Sequence, residues 1–160
     1  MPKMTDPTDA LVSLQHVLPL GGVPIQRCDL DRDLYVVMDE PAPHVVRMTY
    51  VRLEGAIITA MVSAASCGFI DGRPGFQLGY AVPPAYRGQG RAKDVVQAAI
   101  REMANGYGRA GILPIIVEAV VGVENEASRR VAAAVLKSDA ELITDAVSGL
   151  PAYRFVHRIA

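Results

Sequence analysis

The chain has 160 residues, a net charge of -1, and 51% hydrophobic against 21% charged residues. That length suits one domain able to bury about two-thirds of its unfolded surface, and the near-neutral charge gives no general attraction to nucleic acid or to an acidic membrane. No apolar run reaches the roughly 18 residues of a membrane span, and Cys28, Cys67, His16, His44 and His157 are too scattered for a metal site or a disulfide scaffold.

In chain order, Met1 to Asp6 reads as a frayed start. Pro7 to Leu18 reads as a short helix with the stripe Leu11, Leu14, Val17 and Leu18, capped by Thr8 or Asp9 and stopped by Pro19, Gly21, Gly22 and Pro24. Ile25 to Asp33 shows no period. Leu34 to Met38 is a short strand, and Asp39 to Pro43 a loop, because prolines deny a sheet its donors. His44 to Leu53 and Ala56 to Ala64 are strands joined at Glu54-Gly55. Cys67 to Pro74 is a loop turning at Asp71-Gly72, and Gly75 to Val82 returns as a strand, which makes an antiparallel meander.

After Pro83-Pro84 comes a basic glycine-rich loop, Arg87-Gly88-Gln89-Gly90-Arg91-Ala92-Lys93, and then a helix whose Ala92, Val95, Val96, Ala99, Ile100 and Met103 share one face. Asn105-Gly106 and Gly108 are its stop signals. Leu113 to Val121 is an apolar strand with Glu118 as its one charge, Ala127, Val131, Ala134 and Val135 mark a second helix, and Ala140 to Ala146 with Ala152 to Ile159 form a last hairpin across Ser148-Gly149-Leu150-Pro151. The pattern gives a mixed α/β (α+β) fold, a single domain over 1–160 with 1–33 as a variable N-terminal segment. The start lacks a signal peptide, so a cytoplasmic location is expected.

The glycine-rich loop lies where a strand hands over to a helix start, whose free N–H groups and partial positive charge favour anions. Glycines leave those N–H groups accessible, and Arg87, Arg91 and Lys93 add charge, as a diphosphate cradle requires. A Walker loop lacks its Lys-Ser/Thr pair here, and a dinucleotide fingerprint lacks its third glycine and its distant acid. An ordinary helix start after a glycine-rich turn remains open on the residues alone. The pattern left is Arg/Gln-x-x-Gly-x-Gly/Ala at Arg87, Gly90 and Ala92, with Tyr86 just before it. Asn125-Glu126-Ala127-Ser128-Arg129-Arg130-Val131 follows downstream as Asn-x-x-Ser-x-x-Val. Over roughly Gly75 to Leu136 the sequence resembles the GNAT superfamily of acyl-coenzyme A dependent N-acetyltransferases, nearest the branch that acetylates ribosomal-protein alanine N-termini.

The resemblance implies a mainly antiparallel sheet splayed at an acyl-CoA cleft, with helices on both faces, and an N-terminal part shorter than the family's usual strand and two helices. It implies acetyl-CoA as co-substrate, no metal, and a primary amine of a protein N-terminus or small molecule as acceptor, attacking directly in a ternary complex. Backbone of Tyr80, Ala81 and Val82 would pair with the pantetheine arm like an added strand. The loop Arg87, Gly88, Gln89, Gly90, Arg91, Ala92 and Lys93 would hold the pyrophosphate, and Asn125 would contact the arm or simply cap its helix. Glu118 is the candidate base, acting through water, or else a carboxylate paired with an arginine. Many relatives carry a tyrosine acid one turn into this helix, where Ala132 and its neighbours stand here; Ser128 is the substitute the resemblance suggests, a hydrogen-bond donor to the departing thiolate, or else a helix-capping serine. Arg129 and Arg130 reach the phosphates or face water. The competing reading is an inactive acyl-CoA sensor or interaction module, and an apolar last hairpin hints at a homodimer.

Overall fold

The computed structural model describes residues 6–160. The frayed start expected for Met1 to Asp6 falls, through Thr5, outside those residues. Asp6 itself caps α1 (Pro7–Val17): its carboxylate accepts from Thr8 N–H at 2.9 Å, so the cap stands ahead of the Thr8 or Asp9 expected. Proline at the first helical position costs nothing there, since its missing N–H would have had no partner.

Eight strands form one sheet in the order β1-β2-β3-β4-β5-β6-β8-β7. They are β1 (Ile25–Arg27), β2 (Leu34–Ala42), β3 (Val45–Glu54), β4 (Ile57–Ile70), β5 (Arg73–Ala81), β6 (Ile115–Gly122), β7 (Glu141–Thr144) and β8 (Pro151–Ile159). Every pairing is antiparallel except β5 with β6, where the chain leaves through α2 (Arg91–Arg109) and returns.

Two expected loops, and one segment without a readable period, belong to the sheet instead. Asp39 to Ala42 continue β2 because the register slips between Asp39 and Ala42, so Pro41 needs no ladder donor. Cys67 to Ile70 extend β4, and Arg73 and Pro74 open β5, around an irregularity between Ser66 and Phe69. Asp71-Gly72 remains the turn, as expected. Ile25 to Arg27, without readable period, pair antiparallel to β2. Their neighbours are ordered from afar: the buried Glu102 carboxylate on α2 accepts the backbone N–H groups of Asp29, Leu30 and Asp31, and Arg52 bonds Asp31 at 2.7 Å and Asp94 at 3.0 Å.

Helix α2 runs through both Asn105-Gly106 and Gly108 and stops only at Gly111, whose φ is 72°. Tyr107 favours the continuation, since its ring packs 5.3 Å from Phe76 and this packing offsets part of the helix-glycine penalty of about 1 kcal/mol at each of the two glycines. In α3 (Glu126–Leu136) the buried face is Ala132, Val135 and Leu136, and the expected Ala127 and Ala134 are exposed. Alanine fits either side of a helix, so the spacing alone does not say which alanines of α3 face the core.

Strand alternation divides the core in two. Ala60, Val62 and Ala64 of β4 face α2 and α3 together with Leu78, Val95, Val117, Leu136 and Phe155. Met61 faces the other way, with Val51, Ile58 and Ala81, under Leu11 of α1. Helices thus stand on both faces.

Candidate active site

The parallel ladder between β5 and β6 is short. It runs from Gly75/Ile116 to Leu78/Ala119 and ends there, although β5 continues to Ala81 against β4 and β6 continues to Gly122 against β8. Beyond Leu78 the two strands separate and open a cleft of about 1240 Å³. Its walls include Tyr80, Ala81, Val82, Asn125, Ser128 and Val131. The splay expected at this position is present.

At one end of the cleft, Pro83 to Arg87 make a single 3-10 turn, and Gly88 and Gly90 take φ of 74° and 73° before α2 begins. The first helical bond closes from Asp94 N–H to the Gly90 carbonyl. The six backbone N–H groups from Gly88 to Lys93 therefore have no hydrogen-bond partner among the described residues. They stand at the start of a 19-residue helix, where the backbone dipole is positive. An added side-chain carbon at Gly88 or Gly90 would meet nothing within 4 Å, so the space in front of them is open.

The basic residues of this loop are not equivalent. Arg87 turns back so that Nε donates to the Val82 carbonyl at 2.9 Å, which leaves that carbonyl one further lone pair for an added strand. Arg91 is tied to the protein: it lies 5.0 Å over the Tyr86 ring, donates to Gln89 at 3.0 Å and meets Glu54 at 3.4 Å. Gln89 is engaged with it. Lys93 is exposed and has no ion-pair partner among the described residues. Ala92 lies half-buried against the cleft.

Across the opening, Asn125 caps α3 by accepting from Ser128 N–H at 3.2 Å while also lining the cleft. Ser128 lines the same space, and its hydroxyl has no protein partner among the described residues. Arg129 stacks 4.9 Å over Tyr153 and donates to the Val123 carbonyl, and Arg130 pairs with Glu126 on the exposed face. Both arginines are used by the fold.

Glu118 stands as the second of its two expected readings has it, paired with an arginine. It points from β6 to the sheet face away from α2 and α3, its side chain is 14% exposed, and Arg154 of β8 donates to it at 2.6 Å, with Glu141 at 3.6 Å from the same arginine. Glu118 is not among the cleft walls, although Gln77, beside it across the β5/β6 ladder, is. The pairing holds the Arg154 guanidinium above its ordinary pKa. The carboxylates that do line the cleft are Asp6, Glu124 and Asp145. Asp145, on the loop between β7 and β8, accepts from Ser148 N–H and Oγ at 2.9 and 2.7 Å, and these bonds hold its carboxyl below the usual range.

Sequence reasoning missed the remainder of the walls: Asp6, Pro7 and Thr8 of α1's start, the floor of Arg47, Ser63 and Gln77, and Val147 and Leu150 of the last loop. Only Gln77 carried a signal, the polar position in the alternation of β5. Among the described residues no cluster of His, Cys, Asp and Glu could hold a metal, and no helix is long and apolar enough to cross a membrane.

A sheet parted between two parallel strands, with a bare amide cradle at one end of the parting, defines a nucleotide-thioester type of acyltransferase fold. The model of the acetyltransferase (GNAT) family matches residues 16–136, and the chain belongs to that family. Among solved structures, the acetyltransferase of GNAT family from Streptococcus pneumoniae superposes with a TM-score of 0.56 at 15% identity, over 100% of this chain and 99% of that one. The yncA protein of Salmonella typhimurium, with its cofactor acetyl-CoA, gives 0.53 at 16% identity, over 99% of this chain and 76% of that one. The Salmonella typhimurium acetyltransferase that modifies the N-terminal serine of ribosomal protein L7/L12 gives 0.53 at 17% identity. That match covers 71% of this chain and 64% of the other, so the chain spans less than two thirds of that enzyme's length. No curated protein sequence matches. Identities of this order speak to the fold alone.

Proposed function

We propose that the protein transfers an acetyl group from acetyl-CoA to a primary amine by direct attack in a ternary complex. The observation that carries this reading is the run of six free amide N–H groups, Gly88 to Lys93, opening onto the end of a parted sheet. Such a run suits a pyrophosphate: it supplies donors and a favourable potential together and needs no side chain to move. The free edges of Arg87 and Lys93 add charge, and Gln89 and Arg91 hold the loop in shape. Backbone of Tyr80 and Ala81, beyond the last β5/β6 pair, is the edge along which an arm of amides would lie.

In the reaction an amine lone pair attacks the thioester carbonyl, the carbon–sulfur bond breaks, and the thiol and an amide are released. Ser128, with its free hydroxyl at the first turn of α3, donates a hydrogen bond to the departing sulfur, and Asn125 keeps that turn in place. Glu118 takes a framework role here, its carboxylate held by Arg154. Proton removal then falls to water, which suffices for an α-amine of ordinary pKa about 7.7–8.0 but not for a lysine near 10.4. This favours a peptide N-terminus or a weakly basic small amine, in line with the likeness to the ribosomal-protein branch, acting as a single domain in the cytoplasm.

The commitment of Glu118 to Arg154, and alanine at position 132 where a tyrosine acid is common, favour one second reading: a coenzyme-binding module without turnover. Calorimetry with coenzyme A, followed by acetyl-CoA with an amine panel and a free-thiol readout, separates the two. Binding with turnover supports the first reading and binding alone the second. Absence of binding sinks both.

A further inference from the structure

The β5/β6 ladder ends at Leu78, yet the cleft is not held by strand pairing alone. Tyr80, two residues beyond the last pair, sends its hydroxyl across to the main-chain carbonyl of Ser128 at 2.6 Å, joining residues 48 apart in sequence. Among the described residues this is the one side-chain hydrogen bond between β5 and α3. The helix otherwise rests on α2, β6 and β8. The ring packs at the margin of the helical core, and burial pushes the phenol well above its ordinary pKa, so it stays a donor at any working pH.

We propose that Tyr80 is a positioning residue: its hydroxyl fixes the first turn of α3, and with it Asn125 and Ser128, at a set distance from β5, giving the cleft the width a coenzyme A arm requires. The proposal rests on the reading of this cleft as a coenzyme site. Its logic is one of division of labour. Where strands part, their ladder no longer sets the distance between them, and some other bond must. A carbonyl inside a helix already receives the N–H four residues on, here that of Ala132, so it has a second lone pair to give without leaving a donor orphaned.

That geometry makes Tyr80→Phe a clean probe. Phenylalanine keeps the ring packing, and the Ser128 carbonyl keeps its helical partner, so the fold loses little while the tether is lost. Coenzyme A affinity, read by calorimetry, is expected to fall about fivefold, the equivalent of one neutral hydrogen bond. Tyr50→Phe is the matched control, a buried tyrosine on the same face whose hydroxyl reaches only Met48 sulfur at 3.6 Å, and its affinity should match the parent. Hydrogen exchange of the Arg129 to Ala132 amides, which needs no ligand, should speed several-fold in Tyr80→Phe alone. Affinity within twofold of the parent, equal weakening in Tyr50→Phe, unchanged exchange, or failure of Tyr80→Phe to fold would each overturn the proposal. If the parent binds no coenzyme A while exchange still responds, the tether stands and the cleft's assignment falls.

Discussion

Gly90→Ala tests the amide cradle most directly, because the structure supplies a matched partner for it. Gly90 and Gly72 both sit at positive φ, 73° and 75°, and at both an added methyl would meet nothing within 4 Å. The folding cost should therefore be the same, about 1–2 kcal/mol for holding an L-residue in left-handed backbone. For a chain of this size that is a fall in Tm of roughly 2–8 °C. Gly72 lies in the β4/β5 turn and Gly90 inside the run of free N–H groups, so only the second methyl stands where an anion would rest. Losing even one hydrogen bond to a charged group costs about 1.5–3 kcal/mol, or about tenfold to a hundredfold in affinity. Differential scanning fluorimetry should show similar losses for both variants, and calorimetry with coenzyme A a loss for Gly90→Ala only. Equal affinities in the two variants would refute the cradle as the seat of binding.

Three further outcomes follow from the side chains around the sheet. Arg154→Met leaves the Glu118 carboxylate, 14% exposed, without its partner and should cost about 1–3 kcal/mol in denaturant unfolding, while Glu118→Gln keeps an acceptor for Arg154 and costs less. If Glu118 belongs to the framework, turnover in Glu118→Gln stays near the parent's and its pH profile keeps its shape, and a lost basic limb would return the residue to catalysis. Burial pushes the Cys28 thiol up to about 12, so in native protein at neutral pH a thiol reagent should label exposed Cys67 alone, and two thiols after unfolding. The Arg52 hydrogen bond holds the Asp31 carboxyl below its ordinary value, so the stabilisation is complete above about pH 4 and lost as pH falls through the depressed folded value. Tm against pH should accordingly fall more steeply in acid for the parent than for Asp31→Asn, and parallel curves would count against that assignment.

How far the sequence could be read depended on where each cause lies. The turn at Asp71-Gly72, the Pro83-Pro84 break, the glycine-rich loop and the apolar stripe of α2 act over a few residues, and each stands where the local pattern puts it. Pro41 and Cys67 to Ile70 misled because a bulge is a property of two strands and only one is visible at a time. The stretch from Ile25 to Asp33 had no period to find: it is ordered by Glu102 on α2 and by Arg52, the former more than 70 residues away. The same holds within the cleft. Its amide cradle is local and was legible, but whether Glu118 is free depends on Arg154, and whether α3 is tethered depends on a hydroxyl from β5.

The two faces of the sheet also explain why the acceptor side is hard to infer from any one segment. α2 and α3 cover one face, and α1 packs on the other, with β2 and β3 joined by the tight Pro43-His44 turn. The floor left open there is Ser63, Ala65 and Gln77 with Arg47, whose charge is already paired with Asp39, and on the proposed reading it asks little of an incoming amine beyond access. Selection then falls to the rims, and these come from opposite ends of the chain. Asp6 and Thr8 stand on one side, and Val147, 80% exposed, stands with Leu150 on the other. The first is fixed by the contact of Pro7 with Gly79, where a methyl on the glycine would come within 3.2 Å of the proline ring, and the second by the Asp145 bonds to Ser148. Neither device touches the cradle, so the choice of acceptor can drift through substitutions at the two rims while the grip on the thioester carrier stays as it is.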